Sequence, residues 1–177
     1  MQNVIISPKW FFDPNGPHGI AHTKRVMILA ETIAIMYGCN KPEIQILRKA
    51  AAYHDIGREN NEVDEKHGFK SVNKAIKLKL LNPHDSEIDD IATVLIHEHS
   101  LSDLENLPDS ITVKLLNIFK DADALDRVRF GDKDCGLNTK YLRMGHAKQL
   151  IGFAKMLLVQ MPEVVKSTAL EYLFSKK

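Results

Sequence analysis

An all-α fold, a compact bundle of six or seven helices, is what this sequence predicts, and three observations predict it. Apolar residues recur at steps of three and four through most of the chain. No stretch of useful length alternates apolar and polar residues as a half-buried strand does. Prolines and glycines fall between the periodic segments and leave short connections. The chain has 177 residues, 44% hydrophobic and 27% charged, which suits one core and one domain over 1–177.

The elements follow in order. Pro8, Pro14, Gly16 and Pro17 predict an irregular arm whose Trp10, Phe11 and Phe12 pack back on the body. His22, Val26, Leu29, Ile33 and Met36 mark one face of a helix over 20–37, and Gly38 ends it. Pro42 fits the first turn of a second helix that runs to about Asp55, before Gly57 breaks it. The polar run 58–66, RENNEVDEK, is a loop. A third helix is predicted over 67–81 and closed by Asn82-Pro83. Asp85 or Ser86 can cap a fourth, which reaches His99. After a loop with Pro108, a fifth helix covers 111–128, and GDKDCGLN is again a loop. Two last helical patterns, 141–160 and 163–174, are separated by Pro162 and are expected to pack on the body as a C-terminal extension over 139–177.

Composition narrows the function classes. A net charge of +1 argues against nucleic acid as the main partner, since that binding needs a concentrated basic surface. Cys39 and Cys135 form no C-x-x-C pattern and no disulfide framework, so a reducing, cytoplasmic setting is expected. The opening MQNVIISPKWFF lacks the apolar core of a signal peptide. The best apolar stretch, VMILAETIAIMY, is broken by Glu31 and is too short to span a bilayer, so no membrane partner is expected. The oligomeric state is left open.

Polar residues interrupt the apolar faces in a pattern. His22 shares the row of Val26, Leu29 and Ile33. His54 and Asp55 continue the row of Ile44, Leu47 and Ala51, in the stretch AAYHDIGR. On the fourth helix, Ile88, Ala92, Leu95 and His99 share a face, and His97 projects to the opposite side. His67 opens the third helix, on the side away from Phe69, Val72 and Ile76. In FKDADALDRVRF, Asp121 and Asp123 flank the stripe of Ile111, Leu115, Ile118 and Ala122, and periodicity does not separate them. Asp126 lies nearer that stripe, as a structural buried acid would. A buried carboxylate without a positive partner costs heavily or takes up a proton. A divalent cation held by imidazoles and carboxylates removes that cost for the whole group.

These motifs, HGIAHTKRV, AAYHDIGR, HGFKS, LIHEHS and KDADALDRV, span residues 18–128, and the ordered set resembles the HD-domain superfamily of metal-dependent phosphohydrolases. The resemblance implies an all-α fold and a metal held by His22, His54, Asp55 and the aspartate of the Ala-Asp-x-Leu motif, here Asp123. Some branches hold a second metal through additional histidines, for which His67 and His99 match, with His97 in reserve. The implied cofactor is one or two divalent ions among Mn, Fe, Zn, Ni, Co and Mg. The implied partner is a small phosphorylated substrate, such as a nucleotide. Asp55 or Asp123 would accept a proton from the attacking water. Arg25, three residues after His22, and Arg58, across Gly57 from the doublet, are candidate phosphate contacts, and His18 is a further candidate to touch substrate. Branches acting on guanosine tetraphosphate or nucleoside monophosphates usually carry a glutamate four residues after the doublet's histidine, where this chain has Arg58. The glycine-tyrosine-proline motif of cyclic-dinucleotide phosphodiesterases is absent. Two other readings stand beside the hydrolase: a di-iron oxygenase of a related all-α metal fold, and a non-catalytic sensor of metal or nucleotide.

Overall fold

The computed structural model describes residues 4–103, 110–131 and 136–160. Among these residues are seven α-helices and no strand: α1 (Ile20–Met36), α2 (Lys41–Tyr53), α3 (His67–Lys77), α4 (Glu87–Glu98), α5 (Ser110–Asp126), α6 (Gly145–Gln149) and α7 (Ile151–Gln160). Short 3-10 turns cover Pro8–Trp10, Arg127–Phe130 and Thr139–Tyr141. The helix expected over 163–174, together with Pro108, Cys135 and Pro162, lies outside the described residues. No described helix is long and apolar enough to cross a membrane.

Helix α1 packs on α2 and α5, α2 packs on α4, and α3 leans on α4. The core between them is aliphatic: Leu29, Ile33, Leu47, Leu95, Ile96, Leu115 and Ile118 are fully buried. Each such side chain contributes roughly 1.5–3 kcal/mol relative to exposure. Phe119, also fully buried, stands edge-on to His54, with ring centres 5.6 Å apart, and leans at 5.6 Å on His99. It forms the border between apolar core and polar cluster.

Local chemistry sets the helix ends. The α1 row of His22, Val26, Leu29 and Ile33 is buried, while Met36, at the last turn, is partly exposed. Gly38 adopts φ +67°, and Cys39 N–H closes on Ala34 O at 2.9 Å, the bond that ends a helix through a left-handed residue. Helix α2 opens on a reciprocal capping box. Asn40 Oδ1 accepts from Glu43 N–H at 3.0 Å and Glu43 Oε2 accepts from Asn40 N–H at 2.8 Å. Ser86 stands at the N-cap of α4 but makes no side-chain cap bond; its backbone oxygen receives Asp89 and Asp90 N–H instead.

Several boundaries differ from expectation for local reasons. Helix α3 stops at Lys77 rather than 81, because Lys79 turns left-handed (φ +57°) and Leu80 N–H returns to Ala75 O at 2.9 Å. Helix α5 tightens into a 3-10 turn after Asp126. The 141–160 segment divides at Leu150, whose N–H bonds to Ala147 O, into α6 and α7. In the arm, Phe11 is buried and Trp10 meets Tyr53 edge-on at 6.1 Å, but Phe12 is exposed.

The buried face of α3 is the main revision. Phe69 and Ile76 point outward, 54% and 40% exposed, and the inner face is His67, Gly68, Ser71, Val72 and Ala75. Small residues make this face, so its hydrophobic signal is weak, and they let α3 approach α4 closely. A Cβ on Gly68 would lie 2.5 Å from Ile96 O and 2.7 Å from His97 O, both backbone atoms. Gly68→Ala is therefore predicted to lower stability by about 1–3 kcal/mol through overpacking. A urea unfolding series measures this, and an unchanged midpoint would show that α3 can retreat freely.

Candidate metal centre

Four imidazoles are oriented by an acceptor on Nδ1, and for two of them it is a helix end. The last carbonyls of a helix lack intrahelical partners. His54 stands just past α2 and donates from Nδ1 to Ala51 O at 2.8 Å; His99 stands just past α4 and donates from Nδ1 to Ile96 O at 2.6 Å. His67, at the start of α3, donates from Nδ1 to Asp64 O. His22, in the first turn of α1, donates from Nδ1 to Oδ2 of Asp126 at 2.8 Å. A carbonyl or ionised carboxylate only accepts, so each Nδ1 carries a proton and each Nε2 is the ring's remaining polar atom.

All four Nε2 atoms face one another. Those of His22 and His54 are 3.0 Å apart, and those of His67 and His99 are 2.8 Å apart. Asp55, 3% exposed, joins the two pairs. Its Oδ2 lies 3.4 Å from both His22 Nε2 and His54 Nε2, and its Oδ1 lies 3.3 Å from His67 Nε2. Asp123 Oδ1 is 3.3 Å from His22 Nε2 and 4.0 Å from His54 Nε2. At 31% side-chain exposure Asp123 is much the more exposed of the two acids, Asp55 being at 2%. Three sets bring ligand atoms within 4.8 Å of one another: His18, His22 and Asp55; His22, His54 and Asp123; and His54, Asp55 and His99.

This donor set fits a divalent cation. Two imidazole lone pairs 2.8–3.0 Å apart repel unless a proton or a cation stands between them. Neutral imidazoles joined by carboxylates are the ligands chosen by first-row divalent ions. The second positions of the rings are fixed by acceptors, as metal-binding histidines require.

The electrostatics distinguish the rings. Burial pushes His54 down to about 4, and burial together with the nearby imidazoles of His54 and His67 pushes His99 down to about 3. Both are neutral at pH 7. Burial and Arg129 also oppose a charge on His22, but hydrogen bonds to Asp123, Asp126 and Asp55 outweigh them and raise it to about 10. Burial favours protonation of Asp55 and Asp123, yet the surrounding imidazoles outweigh it and hold both carboxyls well below the usual range. A proton on His22 thus satisfies the acids that a cation would otherwise neutralise.

The remaining sequence candidates fall as follows. His18 Nδ1 is 3.1 Å from Asp55 Oδ2, at the edge of the cluster. His97 is turned outward, 41% exposed, and pairs with Glu98 at 2.6 Å. Asp121 is fully buried but faces the other way, accepting from the backbone N–H of Arg143 at 3.0 Å and of Met144 at 2.7 Å. Arg58 donates from Nε to Asp55 Oδ1 at 2.7 Å and from Nη1 to Glu62 O at 3.1 Å, and its Nη2 is 3.3 Å from His67 Nε2. Arg25 has its planar fork on Asp126, at 2.5 and 3.0 Å. Asp126 is accordingly more than a structural acid: it orients His22. Arg129, which also reaches Asp126 at 3.1 Å, was not singled out from the sequence. The available signal was spacing, because Asp123, Asp126 and Arg129 follow one another at steps of three.

The model of the HD domain family matches residues 19–128, more than half of the chain. The chain belongs to the HD domain family, whose members are mostly metal-dependent hydrolases. Comparison with curated proteins and with solved structures gives no match.

Two outcomes are expected. Asp126→Asn should weaken divalent-metal affinity by about 10- to 100-fold, the usual cost of losing an outer carboxylate on a metal histidine; calorimetric titration measures it. Metal binding at pH 7.5 should release at least one proton, that of His22, because His22 is protonated up to about 10 while His54 and His99, at about 4 and about 3, have none to lose; ionisation of a metal-bound water would add to the count. Titration in buffers of different ionisation enthalpy counts that proton, and a count of zero would contradict the charge assignment. The sign for stability follows too. The unfolded chain binds protons on His54 and His99 below about pH 6.5 that the folded chain refuses, so these two rings cost stability as pH falls from there towards about 4.

Proposed function

We propose that the chain is a metal-dependent phosphohydrolase that cleaves a small phosphomonoester or phosphodiester, with a nucleotide as the favoured substrate class. The carrying observation is the convergence of His22 Nε2 and His54 Nε2, 3.0 Å apart, on the carboxylates of Asp55 and Asp123. These four residues would hold the cation, and His67 and His99 with Asp55 would hold a second. A divalent cation in such a site lowers the pKa of water from about 16 to about 7 and polarises a phosphoryl oxygen.

The protein's own groups supply the rest. Asp123 is the more exposed of the two acids, and it would take a proton from the attacking water. Asp55 spans both histidine pairs and keeps them in register. Arg58 stands over Asp55 with its rigid guanidinium fork on Oδ1, and His18 borders the other oxygen, Oδ2; both are proposed to meet the substrate. Arg25 contributes through Asp126, since its fork is engaged there. Buried apolar walls around Phe119 strengthen each of these charges by excluding water. The cytoplasm, and a small phosphorylated molecule rather than nucleic acid or membrane, complete the reading.

His54→Ala and Asp55→Ala are each predicted to abolish metal retention and hydrolysis while helical content survives. Elemental analysis, circular dichroism and a broad phosphate-ester panel check the three parts. Turnover at the wild-type rate in Asp55→Ala would end the proposal. A metal-loaded protein inert across the panel that binds a nucleotide tightly would make it a sensor. An iron-specific spectrum with oxygen consumption would make it an oxygenase.

A further inference from the structure

Behind His22 the charges do not balance. Asp126 is fully buried, and its single negative charge meets four donor contacts from three side chains. Arg25 makes two of them, at 2.5 Å to Oδ1 and 3.0 Å to Oδ2, and this bidentate pair alone neutralises the carboxylate. His22 Nδ1 takes Oδ2 at 2.8 Å. Arg129 Nη1 comes third to that same oxygen, at 3.1 Å, the longest contact of the four. Asp55 and Asp123 are the acids that would be set against a divalent cation. Arg129 is then a positive charge without an anion of its own.

Its hydrogen bonding shows the same surplus. The Arg129 side chain is only 10% exposed, yet its Nε–H is buried and has no partner. Buried donors are seldom left this way, and each exception calls for a cause. The guanidinium carbon lies 4.2 Å over the ring of Phe130, a contact that uses no donor. Burial disfavours the charge on Arg129, while Asp126, Asp123 and Asp55, the acids at and behind the candidate centre, favour it. The group is therefore desolvated, set against Asp126 and the ring of Phe130, and short of an acceptor.

We propose that Arg129 contacts the phosphoryl oxygens of the substrate, Nε–H included. The proposal rests on the phosphohydrolase reading and adds the residue that recognises the phosphoryl group. It divides the labour between two arginines: Arg25 holds Asp126, and Arg129 is held lightly enough to turn to an incoming anion.

The test uses the full chain loaded with metal, and inorganic phosphate as the probe. Arg129→Gln should weaken phosphate binding by about 10- to 100-fold, the value of a charge-assisted hydrogen bond, and lower kcat/KM on any accepted ester alike. Metal affinity should stay where it is. Arg129→Lys keeps the charge but loses the Nε–H and the planar fork, so it should recover only part of the phosphate affinity; it also decides the matter if the glutamine variant does not fold. Arg25→Gln should do the reverse, weakening metal before phosphate. Wild-type phosphate affinity in Arg129→Gln, or full recovery in Arg129→Lys, would overturn the assignment. So would a fall in metal affinity as large as the fall in phosphate affinity, which would make Arg129 a support for Asp126. If the wild-type protein neither binds phosphate nor turns over any ester, the hydrolase reading itself fails and this inference with it. If the wild type turns over and Arg129→Gln matches it, only Arg129 is wrong.

Discussion

The rest of the structure depends on imidazole nitrogens held closer together than they would stand by choice. The Nε2 pairs at 3.0 and 2.8 Å are unfavourable as bare lone pairs and favourable around a shared positive charge. Helix termini maintain them. His54 and His99 each sit one residue beyond a helix, where a carbonyl three residues back lacks a partner and captures Nδ1. A backbone carbonyl cannot rotate away as a side chain can. The tautomer and ring direction are thus inherited from where α2 and α4 stop, and those stops are held by the aliphatic core beneath Phe119.

The same helix end explains why two adjacent residues can both face inward. Within a helix, His54 and Asp55 would diverge by about 100°. Helix α2 ends at Tyr53, and residues 54–57 form a turn that brings both side chains into the cluster. Gly57 N–H then bonds to Ser71 Oγ at 2.9 Å, tying this turn to α3 and so to His67. Asp55 uses the placement fully, with one oxygen toward His22 and His54 and the other toward His67 and Arg58.

Much of this was legible in the sequence, and the limits have physical causes. Apolar spacing located α1, α2, α4 and α5, because those helices bury rows of bulky aliphatic residues. It also placed His22, His54 and Asp55 on core-facing rows and preferred His99 to His97. Spacing failed on α3, whose inner face is glycine, serine and alanine; the bulky Phe69 and Ile76 gave the stronger signal and point outward. It could not separate Asp121 from Asp123, since both flank the α5 stripe and only tertiary contacts decide. Asp121 turns to the backbone of Arg143 and Met144, and Asp123 turns to His22. Arg25 was legible as near the site, but its engagement by Asp126 depends on a residue 101 positions away.

The two histidine pairs of this cluster are unequal, and the inequality is built into their backing. His22 is supported by an ionised, doubly gripped carboxylate, which raises the basicity of its Nε2; His54, His67 and His99 are supported by neutral carbonyls. The pair of His22 and His54 has carboxylate oxygens from both Asp55 and Asp123, whereas the pair of His67 and His99 has Asp55 Oδ1, 3.3 Å from His67 Nε2. That oxygen already accepts from Arg58 at 2.7 Å, and Arg58 Nη2 stands 3.3 Å from His67 Nε2. A cation entering there must share Asp55 with a guanidinium or push it aside, and like charges at such distances repel strongly in a partly desolvated site. The group of His22, His54, Asp55 and Asp123 is therefore the one better supplied with anionic ligand atoms for a metal, and Arg58, which reaches both Asp55 and His67, competes for the ligand atoms of the other pair.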